Sequence, residues 1–298
     1  MQFALLVLLL VASVSSHFTN LQCTDDSLLR DLPRLLRSAT INVATSANAA
    51  PFVARSSYGV PYGFDIDLMN LISYLYEIKF QYQYVPFASL ITTVQSNVNT
   101  ISISSQTITL ERMKSVDFAQ FFKTGTAFIV RSSYGQTITG LGSLCGKTVS
   151  VVSATTQYQD VTTQNTMCGA NIINIKQFAT LAIAINAVST GAADVAVSDE
   201  AALIIAALES NNTLKVVGTP YNVQPYGILC NKMNPELCCA LVNAINYLIE
   251  EGIYEQLLQR YSFTYANNGV CPSRINLVGS TCSRKCTPTT GQCNRYLG

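Results

Sequence analysis

Ser105-Gln106-Thr107-Ile108-Thr109-Leu110-Glu111-Arg112-Met113-Lys114-Ser115-Val116-Asp117-Phe118 follows a short apolar run, Ile101 to Ser104. The run reads as a strand, and the segment after it brings free backbone groups, a threonine hydroxyl and an arginine together. Those parts suit a carboxylate. Arginine offers a planar fork of donors that grips both carboxylate oxygens, and a neighbouring hydroxyl serves another lone pair. The plain alternative is a surface helix start, with Thr109 as cap and Glu111 and Arg112 facing water. The segment alone favours that alternative, and the elements around it shift the balance.

Upstream, Ile41 to Thr45 reads as a strand. Asp67 to Tyr76 reads as a helix because Leu68, Leu71, Ile72 and Leu75 recur at helical spacing. Phe80 to Tyr84 reads as a strand, Ala88 to Gln95 as a helix and Ile101 to Ser104 as a third strand. Such a βαβαβ run specifies a mostly parallel sheet covered by helices. A second α/β unit begins after Val130. Its strands are Thr148 to Val152, Ile172 to Ile175 and Val195 to Val197, and its helices Thr156 to Thr163, Phe178 to Val188 and Glu200 to Leu208. Tyr226 to Leu229 reads as a returning strand. Leu237, Leu241, Ile245 and Leu248 mark a helix ended by Gly252, and a short helix runs on to Tyr261. Ligands of open α/β sheets bind beyond the carboxyl ends of the strands. Ser105, Ala154 and Asp199 each lie just after a strand, so three polar loops from two units are expected to converge on one cleft.

Residues 1–16 carry an apolar run, Phe3 to Ala12, closed by Ser13-Val14-Ser15-Ser16. The run is short for a bilayer span and ends as a signal-peptidase site does, so a secretory signal with cleavage near Ser16–His17 is expected. The ten cysteines agree with an oxidising compartment. Four of them, Cys271, Cys282, Cys286 and Cys293, sit in a Gly/Pro/Thr-rich tail with too little apolar surface to fold without disulfides. Zinc is disfavoured: Cys282 and Cys286 resemble half a site, but the only histidine is His17. Asn211-Asn212-Thr213 is a glycosylation sequon. Net charge is +1 with 12% charged residues and no basic stripe, so nothing points to nucleic acid. No second long apolar run is present, so no membrane span is expected in the mature chain, and its roughly 280 residues suit one large or two medium domains.

Five motifs stand in order along the chain: Gly63-Phe64-Asp65-Ile66-Asp67-Leu68; Thr107-Ile108-Thr109-Leu110-Glu111-Arg112 with Val116-Asp117-Phe118; Gly191 to Asp199; Tyr226-Gly227-Ile228; and Gly252-Ile253-Tyr254. Their order and spacing resemble the type II periplasmic solute-binding proteins for amino acids, extracellular solute-binding family 3, and the related ligand-binding domain of ionotropic glutamate receptors. The resemblance covers roughly Ile41 to Phe263. It implies an α/β, two-lobed fold, each lobe a mostly parallel sheet covered by helices, with ligand trapped between the lobes. Lobe 1 is then about 40–125 plus 228–263 and lobe 2 about 129–223, with hinges near Thr126–Phe128 and Gln224–Tyr226. Residues 17–39 form an N-terminal extension, and 264–298 a disulfide-rich C-terminal tail, both outside the family pattern.

The resemblance also implies roles. Arg112 matches the arginine that pairs with a ligand's α-carboxylate, and Thr107 the threonine that supports it. Ser105, where Gly or Pro is common, matches the position whose carbonyl accepts from the α-amine. Asp199 matches the lobe 2 acid that meets the α-ammonium; its plain role is a helix cap. Ala154-Thr155-Thr156 matches a loop opening a lobe 2 helix, whose N–H groups favour an anion. The family usually has Gly at the Ala154 position, and a methyl group there narrows the pocket or blocks close backbone approach. The plain role of Thr155 and Thr156 is N-capping. Phe87 matches an aromatic that packs over the ligand's aliphatic part, with a core role as the alternative. Asn48 lies in a loop that varies with ligand. Asn99 stands where Asp is usual. Cys145 and Cys168 are placed for a local disulfide. Cys23, Cys230, Cys238 and Cys239 are available to pair with tail cysteines if the extension and tail wrap lobe 1.

The function implied is a secreted protein that captures a free amino acid or close derivative by closing its lobes, without cofactor or metal. It would act as a soluble carrier, a scavenger or the partner of a membrane protein. Two alternatives remain: a repurposed interaction protein that has lost its ligand, and a dehydratase-like enzyme. The enzyme reading is disfavoured, because apart from Asp199 the nearest candidate acids are Glu111 and Glu200 and no Ser–His or Cys–His pair can form around His17.

Overall fold

The computed structural model describes residues 40–46, 49–270, 273, 275 and 276. The expected signal peptide, the N-terminal extension, Asn48 and most of the cysteine-rich tail lie outside the described residues. Among the described residues, no helix is long and apolar enough to cross a membrane.

The main sheet has eight strands in the order β4-β1-β5-β10-β6-β9-β7-β8. These are β1 (Ile41–Thr45), β4 (Phe80–Tyr84), β5 (Thr100–Ser102), β6 (Asp117–Arg131), β7 (Thr148–Val152), β8 (Asn174–Phe178), β9 (Val195–Asp199) and β10 (Leu214–Cys230). A small hairpin of β2 (Ala54–Arg55) and β3 (Pro61–Tyr62) stands apart. β1 pairs in parallel with β4 and β5, and β7 in parallel with β8 and β9. Each parallel set is one lobe. Between them, the long strands β6 and β10 run antiparallel through both lobes. β6 is buried along nearly its whole length, as a central strand covered on both faces must be. The β6–β10 register shifts between Val217 and Tyr221, Tyr221 and Gln224, and Tyr226 and Gly227.

Helix α1 (Phe64–Tyr76) packs Phe64, Leu68, Met69 and Ile72 into the first lobe. Its first-turn donors find backbone acceptors: the Phe64 and Asp65 N–H groups donate to the Pro51 and Phe52 carbonyls at 3.0 and 2.9 Å. This brings two backbones together at Gly63, whose φ of +124° only glycine adopts readily. The helix therefore starts three residues before the expected Asp67. α2 (Leu90–Ser96) is preceded by a 3₁₀ turn, Phe87–Ser89.

The second lobe carries α4 (Thr156–Met167), α5 (Leu181–Ser189) and α6 (Glu200–Glu209), after the four-residue α3 (Leu110–Met113) of lobe 1. Beyond β10 the chain returns to lobe 1 as α7 (Pro235–Glu250), α8 (Ile253–Arg260) and α9 (Tyr265–Asn268). The docking is specific. Tyr254 donates to the Phe121 carbonyl at 2.6 Å, and Tyr261 donates to Asp67, which also pairs with Arg260 at 3.2 Å. Phe52, Phe64, Phe121, Phe122, Tyr226 and Phe263 form one aromatic cluster behind the cleft, with edge and stacked contacts at 5.0–6.3 Å. Side chains of this size dominate core energetics. The described start of the tail runs along β6, with Ile275 bridging Ala119 and Asn276 bonded to Phe118 and Asp117.

A disulfide joins Cys145 to Cys168, tying the chain before β7 to the end of α4. A second joins Cys230 to Cys238, which settles a pairing the sequence leaves open. The turn between β10 and α7 brings the two Cα atoms within 5.5 Å, inside disulfide reach.

Candidate functional site

The cleft lies where loops from the carboxyl ends of both parallel sets meet. It is lined from lobe 1 by Phe52, Phe87, Ser105, Thr107 and Arg112, and from lobe 2 by Thr155, Thr156, Gln157 and Asp199. Apolar side chains, Val152, Leu181 and Ala202 among them, complete it.

Arg112 sits in α3, whose start is capped by the Thr109 hydroxyl accepting from the Arg112 N–H at 3.2 Å. The cap belongs to Thr109 as the plain reading expects, but the Arg112 side chain turns into the cleft. Its Nη1 donates to the Thr107 carbonyl at 2.8 Å, and its Nη2 donates across the cleft to the Ala154 carbonyl at 3.3 Å. The Phe87 ring lies 5.8 Å from the guanidinium carbon, in cation–π range. Burial lowers the guanidinium's pKa, and the charge of Asp199 opposes that shift.

Ser105 takes a left-handed conformation, φ +51°. Asp65 holds it there: the Ser105 N–H donates to Asp65 Oδ2 at 3.0 Å. Asp65, in the first turn of α1, is fully buried, and burial pushes its pKa up to about 7 against the Ser105 hydrogen bonds. Thr107 bridges to Tyr226 on β10, which fixes the loop against the long strands.

Asp199 ends β9. It stands at the N-cap of α6 but makes no side-chain cap bond. Thr124 fills that role, accepting from the Ala201 N–H at 3.2 Å. The Asp199 carboxylate instead accepts from Gln157 Nε2 at 2.9 Å. Burial pushes its pKa up to about 6, opposed by Tyr226, Gln157 and Arg112. The Tyr226 hydroxyl is near enough to act on the acid but lies outside hydrogen-bonding geometry.

In the lobe 2 loop, Thr155 and Ala154 also make structural bonds. The Thr155 hydroxyl is occupied: it donates to the Val152 carbonyl at 2.7 Å and accepts from the Tyr158 N–H at 3.2 Å. It therefore caps α4, and the residue also lines the cleft. Ala154 is exposed and its methyl does not line the cleft; it contributes its carbonyl to Arg112. It also adopts φ +62°, a conformation that strains any residue with a Cβ. Ala154→Gly is expected to stabilise the protein by about 1 kcal/mol, read as a rise of roughly 2–4 °C in Tm; an unchanged or lower Tm would refute strain at this turn.

Sequence reasoning missed Gln157 as the partner of Asp199, Asp65 as the support of Ser105, and Tyr226 as the residue that bridges Thr107 and acts on Asp199. Gln157 lies in α4, whose only buried residues are Gln157 and Val161, so no apolar repeat could mark its inner face. Asp65 and Tyr226 were visible as motif members without an assigned role.

The fold is that of the two-lobed periplasmic binding proteins. Residues 41–264 match the model of bacterial extracellular solute-binding proteins, family 3, and the chain belongs to that family. A probable histidine-binding protein of Neisseria gonorrhoeae is 27% identical over 224 residues, 74% of this chain and 81% of the relative. An ancestral arginine-binding protein, solved with arginine, superposes with a TM-score of 0.69 at 30% identity, covering 74% of this chain and 97% of that one. An ancestral amino-acid-binding protein described as a precursor of cyclohexadienyl dehydratase gives a TM-score of 0.69 at 26% identity, over 79% and 99% of the two chains.

Proposed function

We propose that this protein is secreted and captures a free amino acid or a close derivative between its lobes. One observation carries the reading: Arg112 and Asp199, opposite charges on opposite lobes, face the same cleft, and each is bonded to uncharged groups. A zwitterion presents the complementary pair at fixed separation. Arg112, supported by the Thr107 loop, takes the α-carboxylate; Asp199 and the Ser105 carbonyl take the α-ammonium. Thr156 and the N–H groups at the start of α4 lie at the carboxylate side, Phe87 packs over the ligand's aliphatic part, and Asn48 contributes from its loop. Only the closed form makes contacts from both lobes, so ligand shifts the open–closed equilibrium by differential affinity. The register shifts of β10 beside the expected hinge at Gln224–Tyr226 supply the irregularity a hinge needs. The apolar N-terminal run, the cysteines and the sequon, which lies in an exposed turn at Asn211, support passage through a secretory route. A membrane-protein partner is one destination for the captured ligand.

The test is a thermal-shift screen of the oxidised full chain against free amino acids and derivatives. A ligand that binds only the native state raises Tm with concentration. If no compound shifts Tm, the ligand-free interaction protein becomes the better reading. One observation favours a second reading, the dehydratase-like enzyme: an acid poised near pH 6 lies in the cleft beside an arginine. Conversion of a bound ligand, followed by mass spectrometry, would establish it.

The raised pKa of Asp199 sets a pH dependence. Only the ionised acid pairs with an ammonium, so below about pH 6 binding must expel a proton. Affinity is expected to be roughly tenfold weaker at about pH 5 than at about pH 7.5. Titration calorimetry across that range checks it, and a flat profile would remove Asp199 from the ammonium site.

A further inference from the structure

We infer that the cleft selects amino acids whose side chain carries no charge and discriminates against cationic ones. The inference rests on the proposed use of Arg112 and Asp199 for the ligand's backbone charges and adds the class of its side chain. Among the described residues lining the cleft, Arg112 and Asp199 are the only charged side chains. Once each is paired with the ligand's own carboxylate and ammonium, no charge is left over. What remains around a side chain is Phe52, Val152, Leu181, Val197 and Ala202, with hydroxyls and one amide.

The nearby acids do not supply a missing carboxylate. Asp65 is completely buried behind Ser105, to which it is bonded, and does not line the cleft. Asp160 accepts from the Tyr221 hydroxyl, Asp67 is held by Tyr261 and Arg260, and Glu111 pairs with Lys114 on the surface. A guanidinium or ammonium side chain enclosed here would lose its hydration without gaining a counter-charge, a loss that typically weakens binding about 100-fold or more. An acidic side chain meets the same deficit, since no lysine or second arginine lines the cleft.

The experiment is calorimetric titration of the oxidised full chain with each common amino acid plus ornithine. The expected result is that the tightest ligand has an uncharged side chain and that arginine, lysine and ornithine bind about 100-fold more weakly or not at all. Arginine, lysine, ornithine, glutamate or aspartate binding as tightly as the best uncharged amino acid overturns the inference while leaving amino-acid capture in place. Failure of every amino acid to bind overturns amino-acid capture itself, and this inference with it.

Discussion

Arg112→Ala is expected to abolish ligand binding while the protein still folds. Arg112 is the only cation lining the cleft among the described residues, and its guanidinium reaches from one lobe to a carbonyl of the other. Removing it would leave an α-carboxylate buried without a counter-charge, a loss of roughly 3–5 kcal/mol, or about 100- to 1,000-fold or more in affinity. The folded state loses only two hydrogen bonds to backbone carbonyls at a partly exposed site, so Tm is expected to fall by a few degrees at most. Titration calorimetry with the ligand from the screen, alongside a thermal melt, separates the two effects. Affinity within tenfold of the parent protein would overturn the assignment of the carboxylate.

Gly63→Ala is expected to be the most damaging single substitution for stability. A Cβ at this position would stand 2.3 Å from the Phe52 carbonyl oxygen and 2.7 Å from both the Phe52 carbonyl carbon and the Pro51 oxygen. All three are backbone atoms, so no side chain can swing aside. The backbone conformation, φ +124°, is itself open essentially to glycine alone. Relief requires α1 to withdraw from the carbonyls that cap it, and the cost is about 3 kcal/mol or more, with Tm lower by roughly 10 °C. Gly142→Ala is the control, because nothing lies within 4 Å of a Cβ there. Matching melts for the two variants would refute the close approach at Gly63. Because Phe52 lines the cleft, the Gly63 variant is also expected to bind ligand less well where it folds.

The layered α/β architecture was legible in the residues because the parallel strands are short, apolar and separated by helical repeats. The two long strands were not. β10 reads in sequence only as Tyr226 to Leu229, since Gly218, Pro220 and Pro225 interrupt the pattern that the structure continues from Leu214 to Cys230. Gly227 belongs there for packing: a Cβ would meet the Phe118 side chain at 2.8 Å. α1 was placed three residues late because its first turn is held by the Pro51 and Phe52 carbonyls, a tertiary contact that helical periodicity does not record. In the cleft, Arg112, Thr107, Ser105 and Asp199 were found through motif order, and the structure brings all four to one place. Their supports, Asp65, Gln157 and Thr124, act across 40, 42 and 77 residues of chain, and no local pattern announces such partners. The cap expected of Asp199 illustrates the difficulty, because only the fold shows that Thr124 makes it instead.

The way the chain leaves and re-enters its first lobe bears on how the molecule is made. Everything that β7, β8 and β9 need, apart from the two shared strands, lies within one uninterrupted stretch, and the Cys145–Cys168 bond closes inside it. The first lobe has no such independence. β5 gains its antiparallel neighbour only when Leu229 and Cys230 arrive, and α1 is covered only when Tyr261 and Phe263 do. During synthesis from the N-terminus, the earlier half of the cleft therefore waits, with its apolar faces unpaired, for the last helices to emerge. A chain stopped shortly after Val217 would hold a nearly complete second lobe beside a first lobe that cannot close. In a growing polypeptide, Arg112 is synthesised early, but the lobe that holds it is completed last.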